Sequence, residues 1–154
     1  MSQADVTAAL GFTPKAPVTA AAYLDVTPQN RTPLTLTPTA LDFVCQLPAA
    51  GTYAIRAQVK VHTQSAAVES SFTASAKLRR TNNTAQDVVR SGSSLRMEAA
   101  FSNLDYELVL PMREVIYTTP TANDRIEIMV NVDSAPLSGA MAISEASIVA
   151  VLIG

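Results

Sequence analysis

The chain has 154 residues, room for one domain with a sizeable core and little more. Charged residues make up only 16% against 48% hydrophobic, with a net charge of −2, so no basic footprint for nucleic acid exists and much of the surface is expected to face other protein. No apolar run approaches the roughly 18 residues that span a membrane, no signal-peptide pattern opens the chain, and one cysteine excludes an intrachain disulfide, which together predict assembly in a cytoplasm.

Residues 2–14 carry both end signals of a short helix. Ser2 is placed as N-cap, and Asp5 three residues later sets a negative charge at the positive end of the helix dipole. Gly11 fits the left-handed position after the last turn, and Pro14 blocks continuation. A helix this short is unstable alone, since about 12–15 residues are needed for even marginal stability in water. Its apolar side, Val6, Ala9, Leu10 and Phe12, is therefore expected to dock on a partner. The wording Ala9-Leu10-Gly11-Phe12-Thr13-Pro14 resembles the A-L-G-[YF]-T-P segment of fibre and appendage proteins of tailed bacteriophages. That resemblance covers about ten residues and implies a virion component.

Residues 15–22 are small and alanine-rich and read as an arm. Thr27 to Thr39 alternates threonine with Pro28, Pro33 and Pro38, which removes backbone donors and favours extended geometry. This stretch is expected to be a linker or an arm reaching a neighbouring subunit, with an edge strand at Leu34 to Thr37. Residues 1–40 thus form an anchor helix and extended arm, and residues 41–154 a β domain.

From Leu41 the period is two. Leu41, Phe43, Cys45 and Leu47 share one face of a strand that ends at Pro48, and Ala49-Ala50-Gly51 turns the chain. The clearest strand follows, with Tyr53, Ile55, Ala57, Val59 and Val61 opposite Arg56, Gln58, Lys60 and His62. Such alternation predicts an antiparallel sheet with one wetter face. Phe72 to Arg79 repeats the pattern, and Thr81-Asn82-Asn83-Thr84 predicts a hairpin with its return strand at Gln86 to Arg90. Further strands are expected at Leu95 to Phe101, Tyr106 to Leu110, Glu114 to Thr118, Ile126 to Val132 and Ala140 to Ile153. The last is apolar on both faces from Ile148 to Ile153, so it must be covered inside a sandwich or between subunits.

Eight to ten short strands joined by turns predict a mainly β fold, an antiparallel jelly-roll-like sandwich with a short N-terminal helix and extended arm. An immunoglobulin-like sandwich is the alternative, and it lacks the Trp and Cys pair expected there. The pattern Gly51-x-Tyr53-x-Ile55-x-Ala57-x-Val59-x-Val61 resembles the central strand of trimeric jelly-roll heads of the tumour necrosis factor-like class. That resemblance implies a homotrimer with Ile148, Val149, Val151 and Ile153 at the subunit interface near the axis.

No residue pattern calls for an enzyme, a cofactor or a metal. His62 reads as a surface residue and Cys45 as a small buried hydrophobe, and a Cys45–His62 pair needs opposite-facing residues to meet. Glu98, Asp105, Glu107, Asp124 and Asp133 read as solvated carboxylates. Arg79, Arg80 and Arg90 read as a solvated hairpin, or as a small basic patch facing an acidic partner. Glycines stand singly, without a phosphate-binding loop.

Three function classes follow. The first is a trimeric capsid decoration, cement or short head-fibre protein on the outer surface of a phage head, anchored through its N-terminal region to the major capsid protein. Chain length is expected to leave room for one anchor and one head domain. The second is a tail-fibre tip or receptor-binding protein that recognises a host glycan or protein, with Tyr23, Tyr53, Tyr106 and Tyr117 as the stacking candidates. The third is a non-viral binding module.

Overall fold

The computed structural model describes residues 18–25, 32–63, 70–82, 85–99, 106–133 and 141–154. The proposed N-terminal helix, with Val6, Ala9, Leu10 and Phe12, lies outside them. Twelve strand segments are present among the described residues, and no helix.

The strands form two six-stranded antiparallel sheets. In the first, β12 (Met141–Leu152) and β5 (Gly51–Thr63) are central. β1 (Thr19–Asp25) and β2 (Thr32–Pro33) share the outer edge of β12. β9 (Tyr106–Pro111) and β10 (Val115–Thr119) share that of β5. In the second sheet β11 (Asp124–Val132) and β6 (Ser70–Arg80) are central. β3 (Thr39–Ala40) and β4 (Cys45–Leu47) pair with β11, while β7 (Gln86–Asp87) and β8 (Ser93–Ala99) pair with β6. Each sheet is thus four strands wide, as in a jelly roll.

Period-two patterning puts one face of each central strand into the core. Tyr53, Ile55, Val59 and Val61 of β5 and Ile143, Ile148 and Ala150 of β12 are buried from one sheet. Ile126, Ile128, Val130 and Val132 of β11 and Ala74, Ala76 and Leu78 of β6 are buried from the other. Burying each large aliphatic side chain contributes about 1.5–3 kcal/mol. Tyr53 lies wholly inside because its hydroxyl is satisfied locally: Oη donates to Ala49 O at 2.9 Å and accepts from Ala49 N at 3.1 Å. This ties the turn before β5 to the core.

Several sequence expectations change. Residues 19–25 form a strand rather than an arm, because β1 pairs with β12 along its whole length, from Thr19 opposite Val151 to Asp25 opposite Glu145. The proline-rich segment is a crossover: residues 32–33 pair with the first sheet and 39–40 with the second, and Thr35 O accepts Val132 N. Residues 34–37 carry no strand; Leu34 is buried as the chain passes between sheets. Residues 41–47 keep the expected phase in Leu41, Cys45 and Leu47, yet only 45–47 pair as strand. The return after the hairpin stops at Asp87, since Arg90 takes a left-handed φ of 62° and Ser91 Oγ donates to Val88 O.

Candidate subunit interface

The outer face of the first sheet is built by strand register. Its cross-strand rows run Thr19–Val151–Ala54–Ile116, then Ala21–Val149–Arg56, then Tyr23–Ser147–Gln58–Pro111, then Asp25–Glu145–Lys60–Val109. The first two rows are mainly apolar. Val149 and Val151 are half-buried by their neighbours, whereas Ile116 is 60% exposed and Ile153 just beyond the strand is 57% exposed. At the margin of this half Arg56 pairs with Glu114. The last two rows are polar, apart from Tyr23, Pro111 and Val109.

β12 has both backbone edges paired, to β1 and β5 over most of its length, so its apolar residues present no open edge. Its alternation then separates the four residues expected at a subunit interface. Ile148 points into the core of its own sandwich and is fully buried, so it offers no surface to a second chain. Val149, Val151 and Ile153 face outward or lie beyond the strand. A β-bulge between Ile143 and Glu145 tucks Ser144 inward, where its hydroxyl donates to Lys60 O at 3.4 Å. The bulge sets the phase that brings Glu145, Ser147, Val149 and Val151 to the outer face.

In the polar half, Lys60 Nζ lies 2.9 Å from both Glu107 and Glu145. Hydrogen bonds to Glu145 and then Glu107 hold the ammonium well above its ordinary pKa, outweighing the opposing effect of desolvation. A groove of about 280 Å³ runs beside it, lined by Tyr23, Asp25, Gln58, Lys60, Glu145 and Ser147 among others.

Elsewhere the structure pairs charges that sequence alone left solvated. Asp124 is fully buried and joined to Arg80, Tyr117 and Thr119. Arg79 pairs with Glu127, itself almost buried on the outer face of β11. Two of the three arginines of the expected basic patch are therefore neutralised. His62 is buried rather than superficial, opposite Ala142 and Glu107. Cys45 sits in the core, so it and His62 are on opposite sides of the first sheet and do not meet. Of the tyrosines considered for stacking, Tyr53 is buried, Tyr117 is engaged by Asp124, and Tyr23 stands 71% exposed.

No protein-family model matches the sequence, and a search of curated proteins finds no match. Among solved structures, Eiger TNF from S. frugiperda has a similar fold, with a TM-score of 0.55 and 13% identity over 91% of this chain and 94% of that one. At that identity the likeness concerns the fold alone: the chain is an antiparallel jelly-roll sandwich of the tumour necrosis factor type.

Proposed function

We propose that the chain is a structural protein of a tailed-bacteriophage virion, a capsid decoration, cement or short head-fibre protein. In this reading its N-terminal region attaches to the major capsid protein and its β domain projects as a homotrimer. The A-L-G-F-T-P wording at residues 9–14 supports the virion assignment. The observation that carries self-association is the apolar half-face of the first sheet, where Val149 and Val151 on β12 and Ile116 on β10 face outward and Ile153 stands exposed just beyond β12. An apolar patch on a β framework fits contact with another copy better than contact with water. Trimerisation then serves attachment, because three linked weak anchors raise apparent affinity by factors of roughly 10²–10⁴.

Two measurements test this. Light scattering should give about 49 kDa, three times the 16.3 kDa chain. A single 16 kDa species at micromolar concentration would remove the trimer. Immunogold labelling of intact virions should decorate heads; label confined to tails would replace this reading with the tail-tip, receptor-binding one, and unlabelled particles would remove both. Leu10→Asp should abolish attachment while the β domain melts unchanged.

A further inference from the structure

The polar half of the outer face has a composition that its neighbours do not consume. The groove of about 280 Å³ is lined by the exposed Tyr23 and by Ser147 and Gln58, which follow Tyr23 in the same cross-strand row. Asp25 and Glu145 stand in the next row with Lys60. Among the described residues the side chains of Tyr23, Asp25, Gln58 and Ser147 make no hydrogen bond or ion pair, whereas Lys60, the only cation of the lining, is occupied by Glu145 and Glu107. What remains on offer is the Asp25 carboxylate, the Gln58 amide and the Ser147 and Tyr23 hydroxyls, with a net negative charge beside an aromatic ring.

A guanidinium matches this arrangement better than a sugar or an ammonium does. It carries five N–H donors and no acceptor, it is flat enough to stack on a tyrosine ring, and its fork pairs with a carboxylate through two bonds. A neutral sugar would gain nothing from the net negative charge, and an ammonium has neither the flat face nor the two-bond fork. We propose that this groove receives an arginine side chain from a partner protein, stacked on Tyr23, paired with Asp25, and bonded to the Gln58 amide oxygen and Ser147 hydroxyl. The groove lies in the rows next to the apolar half-face and shares no residue with it.

The probe is acetyl-arginine-amide, titrated into the ¹⁵N-labelled full-length chain and followed by amide chemical shifts. Acetyl-lysine-amide and methyl α-glucopyranoside serve as competitors of different chemistry. The expected result is saturable shifts confined to residues 23–25, 58 and 145–147, at least roughly tenfold weaker binding of lysine, and none of the glucoside. Asp25→Asn and Tyr23→Ala should each weaken arginine binding roughly tenfold without changing the melting temperature. Absence of localised shifts, equal binding by Asp25→Asn, or preferential response to the glucoside would each overturn the assignment. Because the readout is local, it stands apart from the oligomer mass measured above.

Discussion

Tyr117 and Asp124 are seven residues apart in sequence but belong to different sheets, and the Tyr117 hydroxyl donates to Asp124 Oδ2 at 2.7 Å. Thr119 Oγ1 donates to the same oxygen at 2.8 Å, and Arg80 Nε and the Arg125 amide donate to Oδ1, each at 3.0 Å. A carboxylate with no exposure thus clasps β10 of one sheet to β6 and β11 of the other. Burial by itself would raise the Asp124 pKa, but the bonds from Tyr117, Thr119 and Arg80 outweigh it and hold the carboxyl below its usual range. Asp124→Asn should cost about 2–4 kcal/mol, because it leaves Arg80 without its counter-charge in a largely buried place. Tyr117→Phe should cost about 1–2 kcal/mol. Denaturant titrations of both variants check these values, and an unchanged Asp124→Asn midpoint would refute the clasp.

The same pair predicts stability loss at both ends of the pH scale. Asp124 has a depressed folded pKa, so its contribution is present above the unfolded carboxylate value of about 3.9 and vanishes as pH falls through the lower folded value. Tyr117 is shifted the other way, to about 12, first by burial and then by its bond to Asp124. Its contribution is complete below the unfolded value of about 10 and is lost as pH rises through about 12. Melting temperature plotted against pH should fall at both ends. Tyr117→Phe should remove the Tyr117 contribution to the alkaline limb and also weaken the acid limb, because it takes away one of the bonds that hold the Asp124 carboxyl down.

Gly51 opens β5 with a φ of +148°, a conformation that side chains disfavour. A Cβ there would lie 2.6 Å from Leu152 Cδ1 and 2.7 Å from Gly154 O. The leucine tip can turn aside, but the carbonyl belongs to backbone held by Thr52, whose amide donates to that oxygen. Gly51→Ala should therefore destabilise by about 2 kcal/mol or more, through strain and loss of this terminal pairing together. Thermal unfolding measures it directly, and a melting temperature within a degree of wild type would contradict the geometry.

How much of this was legible depended on whether the partners were near in sequence. The β5 phase, Tyr53 to Val61 inward, follows from alternation alone, and the hairpin around Asn82 follows from turn chemistry. Strand β1 was hidden because Thr19 to Leu24 is alanine-rich, and its place depends on pairing with residues more than 120 positions away. Asp124 resembled any turn aspartate, since Arg80 reaches it from 44 positions upstream across the sheet. His62 keeps the polar phase of β5 and is nevertheless buried, opposite Ala142 and Glu107 of the two neighbouring strands, which alternation alone does not show. The two halves of the outer face needed the β12 register and its bulge, which composition does not encode.

Cys45 should behave as an inert thiol. It has no exposure, and burial pushes its pKa up to about 11, so at pH 8 only about one thiol in a thousand is ionised. Ellman's reagent should react negligibly with the native protein and release one equivalent per chain in denaturant. Rapid stoichiometric labelling under native conditions would show that β4 opens readily.

Ile148 and Val151 stand three residues apart on β12 and separate folding from association. Ile148 faces the core, so Ile148→Ala removes buried methyl groups and should cost about 2–5 kcal/mol of stability in the chain itself. Val151 lies half-buried on the outer face, between Thr19 and Ala54. Val151→Asp places a charge within the apolar half-face while leaving the core untouched, so it should shift light-scattering mass toward 16.3 kDa with a far smaller effect on the denaturant midpoint of the single chain. Equal losses of stability and mass in both variants would mean that the outer face belongs to the fold rather than to the assembly.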